Sequence, residues 1–276
     1  MILEIVSFFV WFTIIPSRHS YGICKCRHCC ALKDNTLAKK TAMIAITVEL
    51  LISWLLLHFI SRKQLFVLGI IPPKKTFYYL LIGLLLPFSF LIILYFSISW
   101  LVGNPYVLNA HYTLSQFANG FWFVLKGVVY EELLFRGVLV YLIFKKWGVR
   151  PGLILSALCF GIYHWFSYGV LGQPVQMLIV LLSTGMMGFL FAFAFYRSGT
   201  IWLPAVLHFG YNFTAMILFS SEKQIGAQLF VKSFSTDPIR PEGIIPLVLV
   251  FLYYTGFPIL CFLFLIKVKR KMHWHD

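Results

Sequence analysis

The chain has 276 residues, 60% of them apolar and only 12% charged, with 29 Phe, 14 Tyr and 8 Trp. A soluble domain averages about 45–50% apolar and about 25% charged residues, and with a mean hydropathy of +0.86 this chain has more apolar surface than one core can bury, so the excess faces lipid. The net charge of +14 comes from 23 Lys and Arg against 9 Asp and Glu; all of these cations except Lys126 and Arg136 sit in short segments between apolar runs, which is how membrane proteins place edge charge and excludes nucleic acid as a partner.

Ile5 to Ile15 form the first apolar run. It reads as a short span, an interfacial helix or, least well, a signal segment, because Glu4 is the only charge before it and no small-residue cleavage site follows. Residues 16–40 form a basic loop containing Cys24, Cys26, Cys29 and Cys30. These are too crowded for the two spaced ligand pairs of a structural zinc site and read better as free thiols of a reducing compartment or as acylated membrane-edge cysteines. Cys159 and Cys261 lie in apolar runs and read as small hydrophobes.

Runs near 41–60, 76–102, 117–144, 151–168, 174–196, 200–219 and 244–266 each approach the roughly 20 helical residues that cross a hydrocarbon core. None alternates as a membrane barrel strand would. The expectation is an all-α, polytopic transmembrane helical bundle of about seven or eight spans, integral to the cell membrane and in contact with its lipid. It divides into N-terminal membrane segments (1–115), a core (116–219), and a loop, last span and basic tail (220–276).

Twelve cations fall on one side of these spans: Arg62, Lys63, Lys74, Lys75, Lys145, Lys146, Arg150, Arg197, Lys267, Lys269, Arg270 and Lys271. The other side carries Lys223, Lys232 and Arg240, so the positive-inside rule puts the C-terminus in the cytoplasm. The six cations of 16–40 fall opposite the twelve unless 41–60 is re-entrant or 65–71 makes a further crossing.

A charged side chain in mid-bilayer costs about 2.5–3.5 kcal/mol on the insertion scale and is normally paired or functional. Such groups here are Glu49, Lys126, Glu131, Glu132, Arg136, His164 and His208. Glu49 stands alone and reads as a buried neutral acid or a helix-packing contact. Glu132 and Arg136 are i, i+4 neighbours able to neutralise each other, whereas Glu131 is rotated about 100° away and remains available for chemistry. His208 and Asn212 share a face; Pro204, one turn earlier, frees the carbonyl at position 200 and is expected to kink the helix.

A carboxylate and a histidine can orient and deprotonate a water, while a second histidine and an amide can donate to the oxyanion forming on an attacked carbonyl. The nucleophile motif G-x-S-x-G is absent. So is H-E-x-x-H, so no metal is required, although Glu131, His164 and His208 have the chemistry to bind zinc.

Glu131, Glu132 and Arg136, then Phe160 and His164, then His208 and Asn212 follow the order EExxxR, FxxxH, HxxxN. In this the chain resembles the CAAX prenyl endopeptidase and bacteriocin-processing proteins, the type II CAAX or glutamate intramembrane protease family, over about residues 117–219. The resemblance implies an intramembrane protease with no cofactor, in which Glu131 and His164 activate water and His208 and Asn212 form the oxyanion hole. Glu132, Arg136 and Phe160 would support them. The implied substrate is a lipidated protein or a membrane-associated peptide precursor. The family also includes proteins proposed as bacteriocin self-immunity factors or membrane scaffolds, so a non-catalytic binding role is the rival expectation. A proton-coupled transporter would also bury Glu and His, but no inverted repeat supports one.

Overall fold

The computed structural model describes residues 34–219, 228–232 and 243–269. The 5–15 run and the four-cysteine segment lie outside these residues. The described chain is helical apart from two three-residue strands. Helix α1 (Asp34–Leu56) continues into a π turn at Leu57–Ser61 and stops at Arg62, whose φ of 51° is left-handed. There follow α2 (Phe77–Leu101), β1 (Tyr106–Leu108), α3 (Leu114–Arg136), α4 (Val138–Trp147), α5 (Val149–Ser167), α6 (Pro174–Ser198), α7 (Trp202–Phe213), β2 (Phe230–Lys232), α8 (Ile245–Phe251) and α9 (Phe257–Lys267). A π turn extends α7 over Thr214–Leu218 and another joins α8 to α9 over Leu252–Gly256.

Among the described residues three helices are long and apolar enough to cross a membrane: Phe77–Leu101, Pro174–Ser198 and the continuous Ile245–Lys267. Along α2, Phe77, Leu81 and Leu85 are exposed at i, i+4, i+8 spacing, the outward apolar stripe of a lipid-facing helix. The helices of the other apolar runs are shorter or less apolar. Helix α3 holds Lys126, Glu131, Glu132 and Arg136, and the 117–144 run breaks at Gly137. There the backbone turns at φ −72°, ψ −137°, and an added Cβ would stand 2.0 Å from the Leu133 carbonyl oxygen.

Local chemistry sets the helix starts. Thr113 and Gln116 form a capping box at the head of α3, with Thr113 N–H donating to Gln116 Oε1 (2.8 Å) and Gln116 N–H to Thr113 Oγ1 (3.2 Å), so two orphan donors are satisfied reciprocally. Pro174 opens α6, where its missing N–H costs nothing. The expected kink at Pro204 is not found. Helix α7 begins at Trp202, so the proline falls in its first turn, and the freed carbonyl of Thr200 accepts from Ser198 Oγ at 3.1 Å.

Neither arrangement that would bring the cations of 16–40 to the same side as the twelve is seen among the described residues. Helix α1 runs uninterrupted from Asp34, and 65–71 contains only a four-residue 3₁₀ turn, Leu65–Leu68, too short to cross. That turn instead forms a strap over the start of α7. Ile201 N–H donates to Leu68 O (3.0 Å), Thr200 Oγ1 to Gly69 O (2.6 Å) and Trp202 Nε1 to Ile70 O (2.7 Å).

One apolar core sits beside the strap, built from Leu57, Leu68, Val138, Tyr141, Phe144, Leu153 and Phe195. A second joins α6, α7 and α9 through Phe191, Ala194, Leu203, Leu207, Phe257 and Cys261. At the other end β1 and β2 pair antiparallel, Val107 opposite Val231, over an aromatic cluster of Phe96, Tyr106, Phe219 and Phe230.

Candidate active site

The seven motif residues lie on α3, α5 and α7, and α6 provides their backing. Helices α5 and α6 approach closely because Gly188 has no side chain: a Cβ there would meet Phe160 Cβ at 2.8 Å and Ser156 O at 3.1 Å. That closeness brings the Gly188 carbonyl within reach of Arg136, whose Nη2 donates to it at 3.2 Å. The guanidinium also donates through Nη1 to Glu132 Oε1 at 3.0 Å, as the i, i+4 spacing predicts. It lies over the Phe160 ring at 4.3 Å and the Phe191 ring at 5.1 Å, within cation–π range. Arg136 is fully buried and Glu132 nearly so.

Glu132 Oε1 accepts a second bond, from His208 Nδ1 at 2.8 Å. The imidazole is stacked on Phe191, with centroids 4.8 Å apart and an interplanar angle of 23°. Its Nε2 faces the other carboxylate, 3.9 Å from Glu131 Oε2, and lies 3.0 Å from Asn212 Nδ2. The adjacent glutamates thus occupy opposite edges of one imidazole. His208 and Asn212 thus bond to each other, and the second N–H of the Asn212 amide is not used in that contact. Glu131 Oε2 has no hydrogen-bond partner among the described residues.

On α5, His164 Nδ1 lies 2.8 Å from the Phe160 carbonyl. A carbonyl only accepts, so this bond places the proton on Nδ1 and leaves the Nε2 lone pair for chemistry. The Phe160 ring sits between the two histidines, 4.5 Å from His164 and 5.9 Å from His208, and His164 is within electrostatic reach of His208 and Arg136. The structure thus brings together a free carboxylate, a histidine with a defined tautomer, and a second histidine beside an amide. Such a set can take a proton from water and donate to an oxyanion.

Some neighbours are not legible from the motif spacing. Phe191 and Gly188, on α6, belong to none of the three motifs. Glu49 on α1 is buried with neither carboxylate oxygen hydrogen-bonded among the described residues. It is not isolated, since it interacts electrostatically with Tyr130 and Tyr163, which also sense Glu131. Among the described residues no three His, Cys, Asp or Glu side chains are placed to hold a metal ion. The Nδ1 atoms of both histidines and Nε2 of His208 are already engaged by the protein. As placed, these three nitrogens are committed to protein partners rather than open to a metal ion.

Residues 113–214 match the family model of the type II CAAX prenyl endopeptidases, Rce1-like. Over this stretch the chain is similar to the Rce1-like proteins. No curated protein and no solved structure matches the chain. The Rce1-like stretch starts at the Thr113 cap of α3, ends one residue beyond α7, and contains all seven motif residues. The Rce1-like family is a protease family and, with its apolar helices, the chain is a membrane protein. Glu49 and the Leu68–Ile70 strap lie outside this stretch.

Proposed function

We propose that the chain is a multi-pass endopeptidase of the cell membrane, of seven or eight spans, that hydrolyses a peptide bond in a lipidated protein or a membrane-associated peptide precursor. The observation that carries this reading is His208 held between two carboxylates, with Nδ1 on Glu132 and Nε2 facing Glu131. This separates the roles of the adjacent acids. Glu132, engaged by both Arg136 and His208, fixes the imidazole, and Glu131 is left to act on water.

In the proposed reaction Glu131, aided by the Nε2 lone pair of His164, takes a proton from water as its oxygen attacks the carbonyl carbon. The carbonyl oxygen becomes an oxyanion that receives hydrogen bonds from Asn212 Nδ2 and from His208 Nε2, which takes up a proton from solvent before the attack and returns it after the products leave. Collapse breaks the C–N bond and returns the proton from Glu131 to the leaving amine, giving one carboxyl and one amine product. Water is consumed and neither metal nor cofactor takes part.

The test is to incubate protein purified in detergent with unmodified and farnesylated peptides and search for new termini by mass spectrometry. Cleavage by wild type and none by Glu131→Gln is the expected result. Equal cleavage by both would remove Glu131 from the mechanism, and no cleavage by either would favour a scaffold that keeps the pocket for binding.

A further inference from the structure

Five tyrosines from five separate elements form a line that reaches the catalytic groups through Tyr168, and the mechanism above uses none of them. Tyr95 and Tyr106 both pack on the Phe219 ring, with centroids 5.4 and 5.1 Å away, and Tyr211 packs on Phe257 at 5.1 Å; Tyr253 lies within electrostatic reach of Tyr95, Tyr106, Tyr168 and Tyr211. Tyr95 is on α2, Tyr106 on β1 and Tyr211 on α7; Tyr253 is in the π turn between α8 and α9, and Tyr168 follows the last residue of α5. Tyr168 connects the cluster to the site, because it interacts with Glu131 and its ring lies 5.2 Å from His164. A bond from Trp165 Nε1 to Met177 O at 2.7 Å holds the turn carrying Tyr168 against α6.

Accessibility falls in order along this line. Tyr168 is 60% exposed and Tyr253 42%. The side chain of Glu131 is 19% exposed, His208 5%, Glu132 1% and Arg136 0%. Beyond Arg136 the apolar core of Leu57, Val138, Phe144 and Phe195 closes the bundle. Exposure therefore rises from the site past Glu131 towards Tyr253 and Tyr168, at the end that carries β1 and the 168–173 turn.

Cleaving a membrane-embedded segment requires its scissile bond to leave the helix, and each backbone N–H and C=O released in hydrocarbon then needs a new partner. A phenol can both donate and accept, and its ring takes apolar side chains. Phenols in this line supply both functions to an extended chain, whose polar groups point alternately to either side. We propose that Tyr95, Tyr106, Tyr168, Tyr211 and Tyr253 form the surface that binds the unwound peptide segment of the substrate, their hydroxyls bonding its backbone next to Glu131. This rests on the peptidase reading above and extends it to substrate recognition by main chain rather than by side-chain sequence.

The experiment measures binding apart from cleavage. A library of fluorescein-labelled decapeptides is titrated by anisotropy against Glu131→Gln protein in detergent, and the tightest binder is remade with alternate backbone nitrogens methylated. The unmodified peptide should bind more tightly than its methylated copy. Adding Tyr253→Phe should weaken the unmodified peptide about 3- to 10-fold, the range of one net hydrogen bond, and leave the methylated peptide unchanged, a non-additivity that isolates the phenol–backbone contact. Tyr78→Phe, at the opposite end of α2, should change neither. Equal loss for both peptides, no loss for either, or no binding by any library member overturns the proposal. Binding with the expected pattern but no cleavage by wild type would leave the surface standing and remove the hydrolytic reading. Cleavage with kcat/KM unaffected by Tyr253→Phe would do the reverse.

Discussion

His208 bonds Glu132 across two helices, Nδ1 to Oε1 at 2.8 Å, on the same oxygen that receives Arg136 Nη1 at 3.0 Å. One carboxylate oxygen therefore ties the C-terminal turn of α3 to the middle of α7, and through Arg136 to the Gly188 carbonyl of α6. The stability of the bundle and the aim of the second histidine depend on the same atom.

Arg136→Ala removes the bonds to Glu132 and Gly188 from a fully buried position and leaves His208 as the partner of Glu132. Breaking a buried pair from one side costs about 3–5 kcal/mol, so the melting temperature in detergent should fall well below that of Glu131→Gln. Glu132→Gln in the Arg136→Ala background should restore part of the loss, because its amide oxygen still accepts from His208 Nδ1 without an unpaired charge. Unchanged melting of Arg136→Ala would show that the pair is not structural.

Glu131→Gln keeps the volume of the side chain and removes its capacity to take a proton. Turnover should vanish while the melting temperature stays near that of wild type, since Glu131 Oε2 has no hydrogen bond to lose among the described residues. A large fall in stability would instead give this carboxylate a structural role.

His208→Ala should lower kcat by roughly 10²- to 10³-fold, the usual effect of losing an oxyanion donor. Chelation with phenanthroline should leave wild-type activity unchanged. Loss of activity on chelation, with recovery on adding zinc back, would mean that His208, His164 and a glutamate rearrange around a metal.

Gly188→Ala places a methyl against Phe160 Cβ and the Ser156 carbonyl. Overpacking of this kind costs about 1–3 kcal/mol, and here it also pushes α6 away from Arg136. A lower melting temperature together with a fall in kcat is expected. Gly127→Ala, where no heavy atom lies within 4 Å of the added methyl, is the matched control and should change neither.

Helical spacing on α3 was enough to pair Glu132 with Arg136 and to leave Glu131 over, because both facts depend only on a local 100° rotation per residue. It did not reveal that His208 bonds the paired glutamate, since that contact joins positions 76 apart and depends on how α7 is rotated against α3. Gly188 and Phe191 were hidden for the same reason. Pro204 was misread because the helix start was unknown: the same residue that would kink a helix interior is well placed in a first turn. Gly137 divides a run that hydropathy sees as continuous, because hydropathy does not register a backbone angle. Glu49 was visible as a charge without a partner, and its neighbours on α3 and α5 came only with the fold.

The strap of Leu68, Gly69 and Ile70 over Thr200, Ile201 and Trp202 has a bearing on where the functional unit ends. His208 is six residues beyond Trp202, so the depth to which its imidazole reaches is gauged from a loop that belongs to the N-terminal part of the chain. The Rce1-like stretch supplies every motif residue, yet the mooring of its last helix lies more than forty residues upstream of its first. A truncation to residues 113–214 would keep the whole signature and lose the fixed point from which α7 is hung, leaving the second histidine free to slide along the helix axis relative to Glu132.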